Sequence, residues 1–156
     1  IMERIPITKE GFITLKEELE RLKRVERPEN IKAIEEARAH GDLSENAEFH
    51  AAKERQSFLS GRIEDLEYKL AAADVIDTDK LPKDRAVFGS HVLLENIDTG
   101  EESEYQLVGP DESDAKKGRI SIASPLGKAL IGKKPCDELT LQVPNGTRCY
   151  EIVEIR

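Results

Sequence analysis

Hydrophobic residues recur in steps of three and four along two long, highly charged segments in the N-terminal half of the chain. The positions of the first segment are Phe12, Leu15, Leu19, Leu22, Ile31 and Ile34. Those of the second are Phe49, Ala52, Gln56, Leu59, Ile63, Leu66, Leu70 and Ala73. This heptad pattern predicts two helices that pack along one apolar seam. Each arm has about 30 residues, which at the helical rise spans roughly 45 Å.

Breaks in the pattern fix how the two helices are connected. Pro28 falls inside the first segment and predicts a kink or break near Arg27, because proline removes a helical hydrogen bond. Gly41 is placed to end this segment in a left-handed conformation. The short connection that follows makes the helices antiparallel. We therefore predict an N-terminal hairpin domain over residues 1–76, with its tip at 41–46.

The pattern changes to alternating, β-branched segments after residue 76, which predicts a second domain over residues 77–156. The predicted strands are Val87–Leu94, Glu104–Val108, Arg119–Ala123, Glu138–Val143 and Cys149–Ile155. Asn145-Gly146 predicts a hairpin turn. Pro125 and Gly132 bracket a short helix. The predicted fold class is α+β, with an antiparallel coiled-coil hairpin followed by a small antiparallel sheet packed on one short helix.

Composition narrows the class of protein. The apolar fraction is 38%, the charged fraction 36% and the net charge −8. These values favour long solvated helices and argue against nucleic acid held by the whole surface. Two cysteines without CxxC spacing suit a reducing cytoplasm. Neither a secretion signal nor an apolar run of membrane-spanning length is apparent, so we expect a cytoplasmic protein without a membrane partner.

Two carboxylates at the predicted tip, Asp42 and Glu45, are the main candidates for chemistry. Asp42 followed three residues later by Glu45 fits a capping box, in which Asp42 caps the second helix. The alternative is a cation site, since Mg²⁺ is often held by one or two protein carboxylates with the remaining ligands supplied by a partner. The pattern allows both interpretations.

The tip sequence resembles a known family signature. Residues 41–54, GDLSENAEFHAAKE, resemble the hairpin-tip motif of the bacterial transcript cleavage factors, the Gre family. Residues 124–133, SPLGKALIGK, resemble the family's second motif, and residues 5–11 with Arg27-Pro28 also fit. The resemblance covers nearly the whole chain, with the same order and spacing.

The resemblance implies a fold and a function. It implies an FKBP-like C-terminal domain that docks at the rim of the secondary channel of bacterial RNA polymerase. The coiled coil then reaches the active site of a backtracked enzyme and stimulates cleavage of the nascent RNA 3′ end. Asp42 and Glu45 map to the acids that help hold a second Mg²⁺ shared with the polymerase. No cofactor is expected to be stably bound to the chain alone, which would be an activator and not itself an enzyme.

The resemblance also suggests secondary sites. Arg38, Lys53 and Arg55 match a basic patch that contacts the extruded RNA, although solvated helix charges explain each equally well. Ser124, Pro125 and Leu126 match the polymerase-docking loop, and Ser124 alone also fits a helix start.

We expect the protein to be a monomer. Two other functions remain open from the sequence. One is a regulator that occupies the secondary channel and inhibits polymerase without promoting cleavage. Retention of both tip acids argues against it. The other is a peptidyl-prolyl isomerase, which needs an aromatic-lined pocket. The absence of tryptophan and the few aromatic residues after residue 80 make this a poor match.

Overall fold

The computed structural model describes residues 3–41 and 45–156, and the chain forms two compact units. The first unit contains Phe12–Ala73. The second contains Arg4–Gly11 together with Asp74–Arg156. The N-terminal residues 4–11, which the sequence analysis assigned to the hairpin domain, therefore group with the C-terminal unit.

Helices dominate the first unit. Helix α1 (Lys9–Arg21) leads into a π-helical turn (Leu22–Glu26), which is followed by α2 (Arg27–Arg38) and then by α3 (Ala47–Ala72). Helices α2 and α3 pack against each other, as the predicted hairpin requires. Throughout the described ranges, each helix is either too short or too polar to traverse a lipid bilayer.

Pro28 is accommodated by a change of helical geometry. The carbonyl that its ring would meet in an α-helix belongs to Arg24, which lies within the π-helical turn. This turn is the local form taken by the distortion predicted near Arg27. An extra residue in the turn shifts the phase of the seam, so Leu22 and the next buried position, Asn30, are eight residues apart. The predicted seam residue Ile31 is 44% exposed instead.

The seam of α3 follows the predicted heptads. Leu59, Ile63 and Leu66 are at most 5% exposed, and Ala52 is also buried. Beside the seam, Arg62 forms two 2.9 Å hydrogen bonds to the carboxylate of Glu18 on α1. This hydrogen bonding to Glu18, with the charges of Glu18 and Asp65 nearby, raises the pKa of Arg62 above its ordinary value against an opposing effect of burial. The pair therefore links the two arms by a charged, bidentate contact.

The second unit contains two sheets. Strands β1 (Ile5–Thr8) and β2 (Ala73–Ile76) form a two-stranded sheet. A five-stranded sheet has the order β5-β4-β3-β7-β6. Its strands are β3 (His91–Asn96), β4 (Glu102–Val108), β5 (Arg119–Ser121), β6 (Glu138–Val143) and β7 (Gly146–Ile155).

The larger sheet is mixed, which corrects the predicted antiparallel sheet. Strands β4 and β5 pair in parallel, with Leu107 opposite Ile120, whereas the other pairs are antiparallel. The connection from β4 to β5 includes two short 3₁₀ turns, and such a return to the sheet cannot be recognised from strand periodicity alone.

Helix α4 (Pro125–Leu130) packs against β5 and β6 and closes the core of this unit. Leu107, Leu130 and Ile152 are fully buried. The complete buried cluster is Ala86, Val92, Leu94, Leu107, Leu130, Leu139, Ile152 and Ile155. The prediction of one short helix packed on a small sheet is confirmed.

Candidate functional sites of the two units

The tip of the hairpin begins where α2 ends. The helix stops at Arg38, Ala39 is the C-cap residue, and the backbone N–H of His40 donates to the carbonyl of Ala37 at 3.1 Å. Gly41 is exposed and has a φ of +106°, which a residue with a side chain rarely adopts. The glycine thus turns the chain away from α2, two residues beyond the C-cap.

Asn46 begins the second helix, and this corrects the proposed capping box. Its side-chain oxygen accepts a hydrogen bond from the backbone N–H of Phe49 at 3.1 Å, which makes Asn46 the N-cap of α3. Glu45 therefore precedes the cap and cannot occupy the third helical position that a capping box needs. Sequence reasoning missed Asn46 because Asp42 is an equally good capping residue.

Glu45 is exposed and lies outside both helices. Among the residues that the structure describes, it has neither a hydrogen bond nor an ion pair. Asp42 and Ser44 lie outside the described residues. A carboxylate with this exposure suits a hard cation such as Mg²⁺ as one ligand among several. Residues 3–41 and 45–156 contain no group of three or more His, Cys, Asp or Glu side chains suited to a metal ion.

The three predicted basic residues differ in their surroundings. Arg38 is exposed in the last turn of α2, and Lys53 is exposed on α3. Arg55 is also exposed, but its guanidinium forms a 3.0 Å ion pair with Glu26, which also pairs with Arg21. Arg38 and Lys53 therefore have cationic groups more available to an anionic ligand than Arg55 has.

The predicted docking residues begin helix α4. The hydroxyl of Ser124 accepts from the backbone N–H of Gly127 at 3.0 Å and donates to the carbonyl of Ser121 at 2.7 Å. The N-cap interpretation of Ser124 is thus confirmed. Pro125 is exposed at the start of the helix, and Leu126 packs against the core. Of the three, Pro125 presents the most accessible surface to a partner.

An apolar pocket of about 630 Å³ lies beside this helix. Its lining includes Val87, Phe88, Ile122 and Ile131, together with the exposed cationic residues Arg85 and Lys128. Ile122 and Lys128 flank the Ser124–Leu126 segment in the sequence. The surface therefore combines an apolar depression with positive charge.

A buried polar cluster in the second unit was missed by sequence reasoning. The side chain of Glu112 is 3% exposed and lies 2.7 Å from the guanidinium of Arg119. Its carboxylate also accepts from the backbone N–H groups of Thr8 and Gly109, at 2.9 and 3.2 Å, and from the hydroxyl of Thr8. The hydroxyl of Thr8 in turn accepts from the N–H of Gly11. The cluster therefore ties Thr8 and Gly11, which belong to the second unit, to the connection between β4 and β5.

Gly11 is the residue in the sequence that could have indicated this cluster. Glycine is unfavourable inside a helix, yet Gly11 lies in the first turns of α1. A Cβ atom there would lie 2.7 Å from the Cδ of Glu112, so the glycine makes room for the carboxylate.

The helical hairpin and the α+β unit each match a family model of transcription elongation factors. The N-terminal transcription elongation factor model matches residues 5–75. The GreA/GreB C-terminal model matches residues 81–156. The chain therefore belongs to the GreA/GreB family of transcription elongation factors, and the resemblance seen in the sequence is confirmed.

Within this family the chain is GreA-like. It is 58% identical over 153 residues to transcription elongation factor GreA of Thermodesulfovibrio yellowstonii, covering 98% of this chain and 97% of the relative. Identity to GreA of Hyphomonas neptunium is 54% over 154 residues, covering 99% and 98%. Among solved structures, the GreA/GreB factor of Nitrosomonas europaea is 27% identical, with a TM-score of 0.44 and coverage of 97% of this chain and 98% of that one. Gfh1 of Thermus thermophilus is 31% identical, with a TM-score of 0.46 and coverage of 99% of each chain.

Proposed function

We propose that this transcription elongation factor binds bacterial RNA polymerase and stimulates cleavage of the nascent RNA 3′ end in backtracked complexes. The hairpin enters the secondary channel, and the C-terminal unit docks at its rim. The observation that carries the proposal is the exposed carboxylate of Glu45, which lies outside the helices and has no partner in the described part of the chain. Because Glu45 neither caps a helix nor forms an ion pair among the described residues, its carboxylate is available as one ligand of a cation.

The chain contributes ligands and placement, and the polymerase contributes the catalytic centre. Asp42 and Glu45 would hold Mg²⁺ together with polymerase groups, because two exposed carboxylates bind this ion weakly by themselves. Mg²⁺ held there would supply positive charge to stabilise the oxygens of an in-line displacement. The protein is therefore an activator that does not cleave RNA alone.

The hairpin also offers positive charge to the extruded RNA. Arg38 and Lys53 are exposed, and neither has an ion-pair partner among the described residues. We assign the RNA contact mainly to these two residues. Arg55 contributes less, because an anion would have to compete with Glu26 for its guanidinium.

Docking uses the surface around helix α4. The apolar pocket beside helix α4 accepts an apolar side chain of the polymerase, and Lys128 favours a segment that also carries a carboxylate. Arg85 contributes less, because its guanidinium lies 3.9 Å from the carboxylate of Asp84. Binding through this surface is separate from the chemistry at the tip, so the two can be changed independently.

The test compares two substitutions that remove the same charge near the tip. Glu45→Gln is expected to abolish stimulated cleavage in a purified backtracked complex while leaving polymerase affinity nearly unchanged. Glu48→Gln is the matched control, since Glu48 is an exposed acid in the first turn of α3 and belongs to no proposed site.

Cleavage and polymerase binding are measured on the same preparations. A loss of cleavage confined to Glu45→Gln supports the proposal. Equal losses in both variants, or a loss of binding in parallel with activity, would show that the carboxylate of Glu45 has no specific role in the reaction.

A further inference from the structure

Two asparagine side chains cross the hairpin in opposite directions close to the tip. Asn30 on α2 donates from Nδ2 to the backbone carbonyl of Ala52 on α3 at 2.9 Å. Asn46, which precedes α3, donates from Nδ2 to the carbonyl of Ala37 on α2 at 2.7 Å. Each helix therefore receives a side-chain hydrogen bond on its backbone from the other arm.

Asn30 is a buried polar residue in a mostly aliphatic seam. It is 5% exposed, and its amide also donates to Oε1 of Gln56 at 2.9 Å. These two bonds use both hydrogens of the amide. A buried amide that is satisfied in one alignment only penalises every other alignment, because a displaced amide would lose its partners.

Asn46 performs two functions with one side chain. Its oxygen caps α3 by accepting from the N–H of Phe49, and its nitrogen satisfies a carbonyl in the last turn of α2. The carbonyl of Ala37 also accepts from the N–H of His40, so the amide of Asn46 adds a second hydrogen bond to it. Asn46 thus joins the end of one arm to the start of the other, immediately next to Glu45.

Aliphatic contacts alone define the register weakly in this part of the arm. The residues that receive the asparagine hydrogen bonds, Ala37 and Ala52, are small and buried. Alanine side chains make few contacts that would be lost if one helix moved along the other. A displacement by one turn would move one arm along the other by about 5.4 Å.

We propose that Asn30 and Asn46 are positioning residues, which lock the register of the hairpin and thereby fix where Glu45 is presented to the polymerase. This inference rests on the proposed function of the tip. It concerns side chains that touch neither RNA nor metal, and it predicts that register and activity change together without loss of the fold.

Three substitutions distinguish the effect of the two asparagines on the register from their effect on the stability of the arm. Asn30→Leu removes the amide but keeps the seam apolar, so the thermal midpoint of the arm is expected to stay equal or rise. Asn46→Asp keeps a capping oxygen but has no N–H for Ala37. Asn46→Ser adds no charge and keeps a capping oxygen, and its single donor lies one bond short of the position of Nδ2, so the bond to Ala37 is lost or weakened. Ile31→Ala is the control, because Ile31 neighbours Asn30 but is exposed.

The first measurement is cleavage by the full-length factor as a function of its concentration. Each of the three variants is expected to lower the maximal rate by about tenfold or more, because small misplacements are costly for catalysis. The half-saturating concentration is expected to stay within about twofold, since docking is unchanged. Ile31→Ala is expected to match the wild type in both quantities.

The second measurement reports the register without polymerase. Spin labels at positions 33 and 57, exposed on α2 and α3, are introduced after Cys136→Ser and Cys149→Ser. The parent protein should give one narrow distance, and Asn30→Leu should broaden it or shift it by about one helical turn, ~5 Å.

If Asn30→Leu changes neither the label distance nor the maximal cleavage rate, the proposal that Asn30 fixes the register of the hairpin is wrong. The same holds if Asn46→Asp loses activity while Asn46→Ser does not, because the effect would then be one of charge. A wild-type protein that gives no stimulated cleavage would contradict the proposed function, and the label distances would still decide whether the register is locked.

Discussion

Replacing Glu112 by glutamine tests whether the buried cluster holds the second unit together. The carboxylate accepts from four donors: the N–H groups of Thr8 and Gly109 on one oxygen, and the hydroxyl of Thr8 and the guanidinium of Arg119 on the other. Glutamine has one oxygen and one NH₂ group in their place. In either orientation, the NH₂ group of Glu112→Gln faces donors.

The expected loss follows from counting the groups left without an acceptor. With the amide oxygen toward Arg119, the buried N–H groups of Thr8 and Gly109 lose their partner. In the opposite orientation, the hydroxyl of Thr8 loses its acceptor, and the guanidinium of Arg119 loses its charged partner while keeping the bond to Gln106. Each such loss costs about 1–3 kcal/mol, so the two losses in Glu112→Gln are expected to lower the free energy of unfolding by about 2–6 kcal/mol. A domain is stable by about 5–15 kcal/mol, so the effect is large.

Urea unfolding followed by far-ultraviolet circular dichroism measures this change, and amide exchange at Thr8 and Gly109 locates it. Glu138→Gln is the control, because Glu138 is an exposed acid on strand β6 and loses the same charge. If Glu112→Gln unfolds within about 0.5 kcal/mol of Glu138→Gln, the cluster does not stabilise the fold as the hydrogen bonds indicate.

Two further predictions concern docking and the arm. Pro125→Ala removes an exposed ring at the start of α4 and is expected to raise the half-saturating factor concentration about threefold to tenfold, or ~0.7–1.4 kcal/mol, with the maximal cleavage rate recovered at high concentration. A lower maximal rate with unchanged affinity would contradict the docking role. Arg62→Met breaks the partly exposed pair with Glu18 and is expected to destabilise the arm by about 0.5–1 kcal/mol in thermal unfolding. The part of the loss due to Glu18 should disappear in a Glu18→Gln background, and an unchanged loss there would assign it to the pair with Asp65 or to packing.

The seam of α3 could be predicted from the sequence because its heptads are uninterrupted. The seam of the first arm could not, since Pro28 gave the location of the distortion but not its form. A π-helical turn adds a residue and changes which side chains face inward. Asn30 is buried for this reason, and Ile31, an apolar residue that any pattern would place inside, is exposed.

Contacts between distant segments were also beyond the reach of pattern analysis. Glu112 and Thr8 are separated by 104 residues, and neither belongs to a periodic pattern that would pair them. The parallel pairing of β4 and β5 depends on the path of their connection. By contrast, Ser124 and Pro125 predicted the start of α4 correctly, because capping is determined by neighbouring residues.

At the tip, the sequence identified the acids but not their setting. Asp42 and Asn46 are both good capping residues in the sequence, and the structure assigns the cap of α3 to Asn46. This leaves Glu45 outside the helix and exposed. The role of Asp42 and Glu45 in the reaction stays a prediction, to be tested with the polymerase present.

The most direct test of the central claim is transcript cleavage in a purified, deliberately backtracked bacterial elongation complex at saturating factor. The wild-type chain is compared with Asp42→Asn, which removes one charge from the tip. We predict rapid shortening of the RNA from its 3′ end with the wild type and no stimulation with the variant, although both bind the complex. Binding by both proteins without cleavage by either would contradict the account and would identify the chain as a regulator that occupies the channel.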